Sequence, residues 1–311
     1  MPLVERKLIG KIKGAARAPS PVLALGIGDD CAILRPPRGH ELLVTTDFSL
    51  EGTHFRRPWH PAQSVGHRCL ARGLSDIAAM GGKPLAAFLS LALPGDLRQR
   101  WADEFLRGLL ALAGRFHVPL AGGDIAESSG GVLADIVVVG SVPRGRALLR
   151  SGARPGDALY VTGALGGSAA ALARLRRGGK LRPRDWPAHF FPEPRLEAGR
   201  RLRALASAAI DLSDGLSTDL SHICGESGVG AVVYAETIPA AKHATLDMAL
   251  HGGEDYELLF TSGKRVPQEI SGVRVTRIGE IIGEPRIDLA DGAGRRAPLR
   301  IRGWEHFRGI G

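Results

Sequence analysis

The sequence predicts an α/β (α+β) fold in two domains, and three observations favour it. The chain has 311 residues, about twice the length of an average domain. Hydrophobic residues make up 44% and charged residues 23%, a balance that allows a buried core. Strand-like and helix-like segments alternate over the whole length, separated by many of the 42 glycines and 20 prolines.

The elements follow from apolar periodicity, taken in chain order. Apolar or β-branched runs of strand length predict strands at 41–47, 85–93, 132–140 and 158–162. Apolar residues at helical spacing predict helices at 61–80, 97–116, 193–207 and 216–224.

The turn-rich segment 141–157 predicts the domain boundary, with a first domain at about 1–140 and a second at about 150–311. Residues 178–194 contain four prolines and predict a surface connection inside the second domain.

Composition argues against several classes of protein. The net charge is +9, but aromatic residues make up only 5% of the chain, which leaves little to stack on bases, so we expect no nucleic-acid partner. Apolar runs are much shorter than the ~18–20 residues that span a bilayer, and the N-terminus shows no secretory signal, so we expect no membrane partner. Three widely spaced cysteines without a CxxC pair predict a cytoplasmic protein.

Aspartate stands beside glycine, serine or threonine in five short segments at the ends of predicted elements. These segments are 28–30, 45–47, 74–76, 122–124 and 211–215. Carboxylate and hydroxyl oxygens are hard ligands that suit magnesium. Two carboxylates about 4 Å apart repel by roughly 4 kcal/mol at an effective dielectric constant of 20, so converging aspartates need cations. If they do not converge, each is a turn or capping residue.

Common nucleotide motifs are missing from the sequence, which contains neither a P-loop, nor a complete dinucleotide-binding glycine loop, nor the protein-kinase motifs. Eight other motifs occur in register, at 26–32, 45–55, 74–81, 122–124, 149–157, 210–216, 252–258 and 303–307. With these motifs the chain resembles the thiamine-monophosphate kinase family, of the aminoimidazole-ribonucleotide-synthetase-like superfamily, over nearly its whole length.

The resemblance implies ATP-dependent phosphorylation of thiamine monophosphate to thiamine diphosphate, by direct in-line transfer assisted by several magnesium ions. It implies magnesium ligands at Asp30, Thr45, Thr46, Asp47, Asp76, Asp124, Asp211 and Asp214. It implies ATP contacts at Gly123, Asp124, Arg150 and Ser213, and substrate contacts at His54, Glu254 and Trp304. Asp76, Asp124 and Arg150 are the expected catalytic residues.

The resemblance also implies the roles of the two domains. The first is expected to bind ATP and magnesium and to form a homodimer through its strands, and the second to complete the active-site cleft.

Simpler roles stay open for individual residues. Arg150 could be a surface arginine, His54 a turn residue, Glu254 a turn cap and Trp304 an anchor for the C-terminal segment. Other ATP-dependent enzymes of the superfamily, of the aminoimidazole ribonucleotide synthetase or selenophosphate synthetase type, are the alternative functions. A basic nucleic-acid-binding protein is the alternative from another class.

Overall fold

A computed structural model of the chain describes residues 5–15, 20–27 and 30–307. Gly28 and Asp29, which belong to the first motif, lie outside the described residues. The chain divides into two compact units. Unit 1 contains residues 1–77 and 82–145, and unit 2 contains residues 78–81 and 146–311.

Unit 1 is built on a mixed sheet. Its elements are α1 (Glu5–Ala15), β1 (Leu23–Leu25), β2 (Ile33–Leu34), β3 (His40–Leu50), α2 (Ala62–Ala79), β4 (Lys83–Pro94), α3 (Gln99–Arg115), β5 (Leu120–Ser128) and β6 (Leu133–Pro143). The strand order among the described residues is β3-β6-β4-β5. Strand β6 pairs antiparallel with β3 and β4, and β5 pairs parallel with β4. A separate ribbon joins β1 and β2.

The two faces of this sheet have different surroundings. Helix α2 packs on one face, where a Cβ added at Gly73 would lie 2.7 Å from the Val138 side chain. The backbones of α2 and α3 are in close contact. A Cβ added at Gly66 of α2 would lie 1.9 Å from the carbonyl oxygen of Phe105 on α3. Successive side chains of a strand point to opposite faces. We call the face that packs on α2 the inner face and the opposite one the outer face.

Unit 2 is built on a larger sheet. Its helices are α4 (Gly167–Arg176), α5 (Pro187–Phe190), α6 (Leu196–Leu202), α7 (Leu216–Ser227) and α8 (Leu246–His251). Its strands are β7 (Ala158–Thr162), β8 (Ala208–Asp211), β9 (Gly230–Tyr234), β10 (Leu258–Ser262), β11 (Glu269–Ile270), β12 (Val273–Ile282), β13 (Ile287–Ala290) and β14 (Arg296–Pro298). The order is β14-β13-β9-β12-β7-β10-β8, with β11 paired to β12. Strands β13 and β9 are parallel, and the other pairs are antiparallel.

Two segments of unit 2 differ from the sequence prediction. Residues 178–194 are not only a surface connection, because Phe190 is fully buried and the buried His189 lies 2.9 Å from the Ser168 hydroxyl. The helix predicted at 193–207 is shorter and covers Leu196–Leu202. Pro194 disfavours the helical conformation for the residue before it, so the helix begins later than predicted. After Leu202 the chain turns toward β8.

The predicted fold class is confirmed, since mixed sheets flanked by helices form both units. In the described ranges, none of the helices is both long and apolar enough to cross a membrane.

Candidate active site

An acidic corner lies on the inner face of unit 1, between β3 and α2. The Thr45 hydroxyl of β3 donates a hydrogen bond to the carboxylate of Asp76 on α2. Asp47 lies on the same face as Thr45, two residues further along the strand. Burial, followed by the negative charge of Asp76, raises the pKa of Asp47 to about 7 against the opposing effect of Arg72. The corner therefore holds two carboxylates that destabilise each other's charge.

Arg72 is the cation that faces this corner from α2. Its guanidinium donates a hydrogen bond of 2.9 Å to the carbonyl oxygen of Phe48 on β3. The guanidinium lowers the pKa of Asp47, but burial and Asp76 outweigh that effect. A further positive charge in the corner would therefore still stabilise the ionised carboxylates of Asp47 and Asp76.

The outer face carries a second polar group, centred on Asp135 of β6. The Thr46 hydroxyl donates to the Asp135 carboxylate at 2.7 Å. Ser90 of β4 is paired with Asp135 on one side and with Asp124 of β5 on the other, so these side chains share one face. The structure thus separates Thr46 and Asp124 from Thr45, Asp47 and Asp76.

Sequence reasoning missed Asp135. A signal exists, because it is the one acidic residue inside the apolar run 132–140. An ionisable residue in a buried strand needs a partner.

Asp30, Gly123 and Asp124 line one cavity of about 510 Å³ in unit 1. The described residues around it are Ile9, Ile12, Gly26, Ile27, Asp30, Cys31, Ala32, Phe88, Leu89, Leu91 and 120–125. Gly123 has a φ of 147°, and a Cβ there would lie 1.8 Å from the carbonyl oxygen of Leu89. Only glycine lets β5 run this close to β4 at the cavity wall. The cavity size is typical of ligand pockets, which measure about 300–1,000 Å³.

His54 follows β3 and has a fixed ring. Its Nδ1 accepts a hydrogen bond of 3.0 Å from the backbone N–H of Leu50, so the neutral ring carries its proton on Nε2. The backbone N–H of His54 donates to the carbonyl oxygen of Leu50, and Arg68 donates to the carbonyl oxygen of His54. The imidazole is therefore oriented by its bond to the Leu50 N–H, and the two other contacts hold the backbone of His54.

In unit 2, the loop from Asp211 to Gly215 connects β8 to α7. Asp211 is buried and Asp214 is half-buried. Burial raises the pKa of Asp214, whereas His222, His306 and Arg150 lower it. The exposed Arg150 therefore lies within electrostatic reach of this loop.

Asp219 of α7 holds that loop in place. Its carboxylate accepts hydrogen bonds from the backbone N–H groups of Asp214 at 3.2 Å and Gly215 at 3.0 Å. Burial, followed by the charge of Asp214, raises the pKa of Asp219 to about 7. One ligand atom from each of Asp214, Asp219 and His222 lies within 4.8 Å of the others.

Sequence reasoning missed Asp219 and His222. Both residues lie on α7, the helix that begins just after Asp214. The helical spacing between them was the available signal.

The Glu254 and Trp304 segments both attach to this loop through the backbone. The N–H of Glu254 donates to the carbonyl oxygen of Ser213 at 2.8 Å, and the N–H of Trp304 donates to that of Asp214 at 2.9 Å. Glu254 adopts a φ of 64°, which few residues other than glycine adopt. The structure therefore gathers Ser213, Asp214, Glu254 and Trp304.

Asp255 anchors the Glu254 segment in the core. Its carboxylate accepts a hydrogen bond of 2.6 Å from the N–H of Gly166 at the start of α4. Burial raises the pKa of this carboxyl group to about 7 although the hydrogen bonds from backbone N–H groups oppose the shift. This buried attachment constrains the strained backbone next to it.

Family models match most of the chain. The N-terminal domain of AIR synthase related proteins matches residues 28–142, and the C-terminal domain matches residues 154–292. The superfamily fold expected from the motifs is thereby confirmed.

Individual relatives extend this similarity to nearly full length. A thiamine-monophosphate kinase of Salmonella typhimurium is 38% identical, with 97% of this chain and 98% of the relative covered. The crystal structure of a thiamine-monophosphate kinase from Stenotrophomonas maltophilia has a TM-score of 0.81 at 34% identity, covering 96% of this chain and 99% of that one. AaThiL complexed with AMPPCP and TMP has a TM-score of 0.78 at 31% identity, covering 97% of each chain.

Proposed function

The chain belongs to the thiamine-monophosphate kinase family, and we propose that it transfers the γ-phosphoryl group of ATP to thiamine monophosphate, giving thiamine diphosphate. The observation that carries this proposal is the acidic corner of Thr45, Asp47 and Asp76. Two adjacent carboxylates are unfavourable unless a cation neutralises them. A cation site of this kind suits a reaction between two phosphate anions.

Magnesium fits the donors available in both units. The hydroxyl and carboxylate oxygens of the acidic corner are the hard ligands that this ion prefers. We propose that its ligands are Asp30, Thr45, Thr46, Asp47, Asp76, Asp124, Asp211 and Asp214. When bound, magnesium supplies positive charge that offsets the repulsion between the two substrates and the charge of the transferred group.

We propose that ATP uses the cavity of unit 1. Phe88, Leu91 and Ile125 offer apolar surface there to a heterocyclic base, while Gly123 and Asp124 carry the polar wall. The neighbouring aspartates would be poor partners for phosphate without a cation, which fits the need for magnesium.

We assign two further ATP contacts to unit 2. Arg150 offers a guanidinium that suits phosphate oxygens, and Ser213 stands in the loop beside Asp214.

For thiamine monophosphate we propose three contacts. The oriented Nε2–H of His54 would donate to the substrate. Glu254 would accept from the aminopyrimidine, and the half-exposed ring of Trp304 would stack on the pyrimidine or face the cationic thiazolium.

The proposed transfer is direct and in line. The acceptor is a phosphate oxygen that is already anionic near neutral pH, so no strong general base is needed. The chain's own contribution is therefore positioning and electrostatic stabilisation, with Asp76, Asp124 and Arg150 as the proposed catalytic residues.

We also propose a homodimer that forms through the outer face of unit 1. Leu42, Val44 and Phe48 are 50%, 68% and 54% exposed along β3. A row of exposed apolar side chains on one strand is typical of an interface, and a two-fold pair would bury it on both copies. A cytoplasmic location is proposed as well, because Cys31, Cys69 and Cys224 are unpaired.

An assay of thiamine diphosphate formation tests the function. With ATP and magnesium, product should form from thiamine monophosphate and not from thiamine. Asp76→Asn should lower kcat by at least about 100-fold, since it removes one charge of the acidic corner. Asp103→Asn, at an ion pair with Lys11 on the surface, should keep activity.

Other outcomes would favour the alternatives. Turnover of another phosphate acceptor without thiamine diphosphate would indicate a different enzyme of the superfamily. Steeply salt-dependent binding to polynucleotide that is unaffected by Asp76→Asn would indicate a nucleic-acid-binding protein.

A further inference from the structure

A short hydrogen-bonded chain in unit 2 connects residues that stand next to three of the proposed site segments. The imidazole Nδ1 of His251, at the end of α8, lies 2.8 Å from the hydroxyl of Ser217 on α7. The same hydroxyl accepts a hydrogen bond of 3.4 Å from the backbone N–H of Arg302. The guanidinium of Arg302 donates to Asp247 at 2.5 Å, and Asp247 lies 4.0 Å from His251 Nε2. We call these four residues the His251 network.

The direction of these bonds follows from the donors available. The carboxylate of Asp247 lies on the Nε2 side of the ring and favours the ring proton there, so Nδ1 accepts from the Ser217 hydroxyl. Burial lowers the pKa of His251, and Arg302 lowers it further although Asp247 opposes this, which favours the neutral ring. A neutral ring that accepts at Nδ1 carries its proton on Nε2, the side of Asp247.

Three members of the His251 network, His251, Ser217 and Arg302, stand close in sequence to proposed site residues. His251 directly precedes Gly252, Gly253 and Glu254, and Ser217 is three residues after Asp214. Arg302 is two residues before Trp304.

The backbones of these segments are packed closely. A Cβ at Gly215 would lie 2.9 Å from the carbonyl group of His251, and one at Gly303 would lie 2.2 Å from the Thr218 hydroxyl. A small rotation of one segment would therefore displace the others.

We infer that His251 is a positioning residue for thiamine monophosphate, which sets the relative placement of Glu254 and Trp304 through its bond to Ser217. This inference rests on the proposed function of those two side chains. The His251 network includes neither Gly123 nor Asp124 and reaches the proposed ATP contact Ser213 only through the backbone, so its loss should raise KM for thiamine monophosphate more than KM for ATP.

Steady-state kinetics of three variants test the inference. His251→Leu removes one partly buried hydrogen bond, worth about 0.5–1.5 kcal/mol, or about 2–12-fold in affinity, and Ser217→Ala removes that bond together with the longer one from the Arg302 N–H. We expect KM for thiamine monophosphate to rise by about that factor, with kcat and KM for ATP within about twofold of the parent. His251→Asn should restore KM, because the amide oxygen of asparagine can take the place of Nδ1. A purely structural histidine would not be rescued selectively in this way.

A second measurement is independent of activity. Amide hydrogen exchange without substrate should become about tenfold faster at Glu254 and Trp304 in His251→Leu. Ser221→Ala is the matched control, since this serine lies on the same helix and donates only to the Thr218 carbonyl oxygen at 2.6 Å. The control should exchange as the parent does.

Two results would overturn the inference: unchanged exchange at both amides, or equal rises of KM for both substrates. If the parent protein forms no thiamine diphosphate, the proposed function fails. The exchange measurement then still decides whether His251 links the two segments.

Discussion

Replacing Asp47 with asparagine should stabilise the metal-free protein while removing its activity. In the folded protein the pKa of Asp47 is about 7, against 3.8 for an ordinary aspartate, mainly because of burial. Since the folded-state value is the higher one, ionisation of Asp47 works against folding. Its contribution is most favourable below about pH 4 and is lost as the pH rises through about 7.

The size of the effect follows from the same values. A difference between 3.8 and about 7 corresponds to about 4 kcal/mol when Asp47 is fully ionised, at 1.36 kcal/mol per pH unit. This is an upper limit, because Asp47 shares its titration with Asp76. We expect Asp47→Asn to be more stable than the parent by about 1–3 kcal/mol near pH 8, with the difference below about 1 kcal/mol near pH 4.

Urea unfolding with a chelator, at a series of pH values, measures this difference. Added magnesium should stabilise the parent more than Asp47→Asn, because the variant lacks one proposed ligand. Asp103→Asn is the control, and its change in stability should have the opposite sign. Hydrogen bonds from Lys11 and Gln99 lower the pKa of Asp103 despite the opposing effect of burial. If the stability difference for Asp47→Asn were the same near pH 4 and pH 8, the electrostatic reasoning would be refuted.

Three further predictions concern packing and assembly. Gly123→Ala should destabilise unit 1 by at least about 2 kcal/mol in urea unfolding, because its Cβ would overlap the neighbouring strand, whereas Gly114→Ala has open space and should be neutral or slightly stabilising. Val44→Asp should shift the protein from dimer to monomer in sedimentation velocity, and an unchanged dimer would exclude this face as the interface. Arg195→Met should cost about 3–5 kcal/mol in thermal unfolding, because it leaves the buried Glu257 without its cation, and Glu257→Gln in the same chain should recover part of that loss.

The strands were the part of the fold most accessible from the sequence. The run 158–162 coincides with β7, and the run 85–93 lies inside β4. Both strands have most of their side chains buried, so apolar residues predominate in them. The helix expected at 193–207 failed for the opposite reason, since Ala204 and the following residues form a turn rather than continue the periodic pattern.

The site was only partly accessible from the sequence. Motifs identified the segments around Asp76 and Asp214, but not Asp135, whose partners Thr46 and Ser90 come from other strands. The spacing of Asp219 and His222 on α7 places them on one helix face, but it does not show that the buried Asp219 carboxylate accepts hydrogen bonds from the backbone of the loop before it. Tertiary pairing decides these roles, and a sequence records it only indirectly.

The alternation of side chains along β3 constrains how the proposed magnesium ligands can act. Thr45 and Asp47 point to the inner face with Asp76, whereas Thr46 points to the outer face with Asp135. The hydroxyl of Thr46 and the carboxylate of Asp47 are therefore on opposite sides of the sheet. Magnesium requires its oxygen ligands at 2.0–2.1 Å in a near-octahedral arrangement. If both side chains bind magnesium, they must bind different ions, so the proposed ligand set implies more than one ion on unit 1.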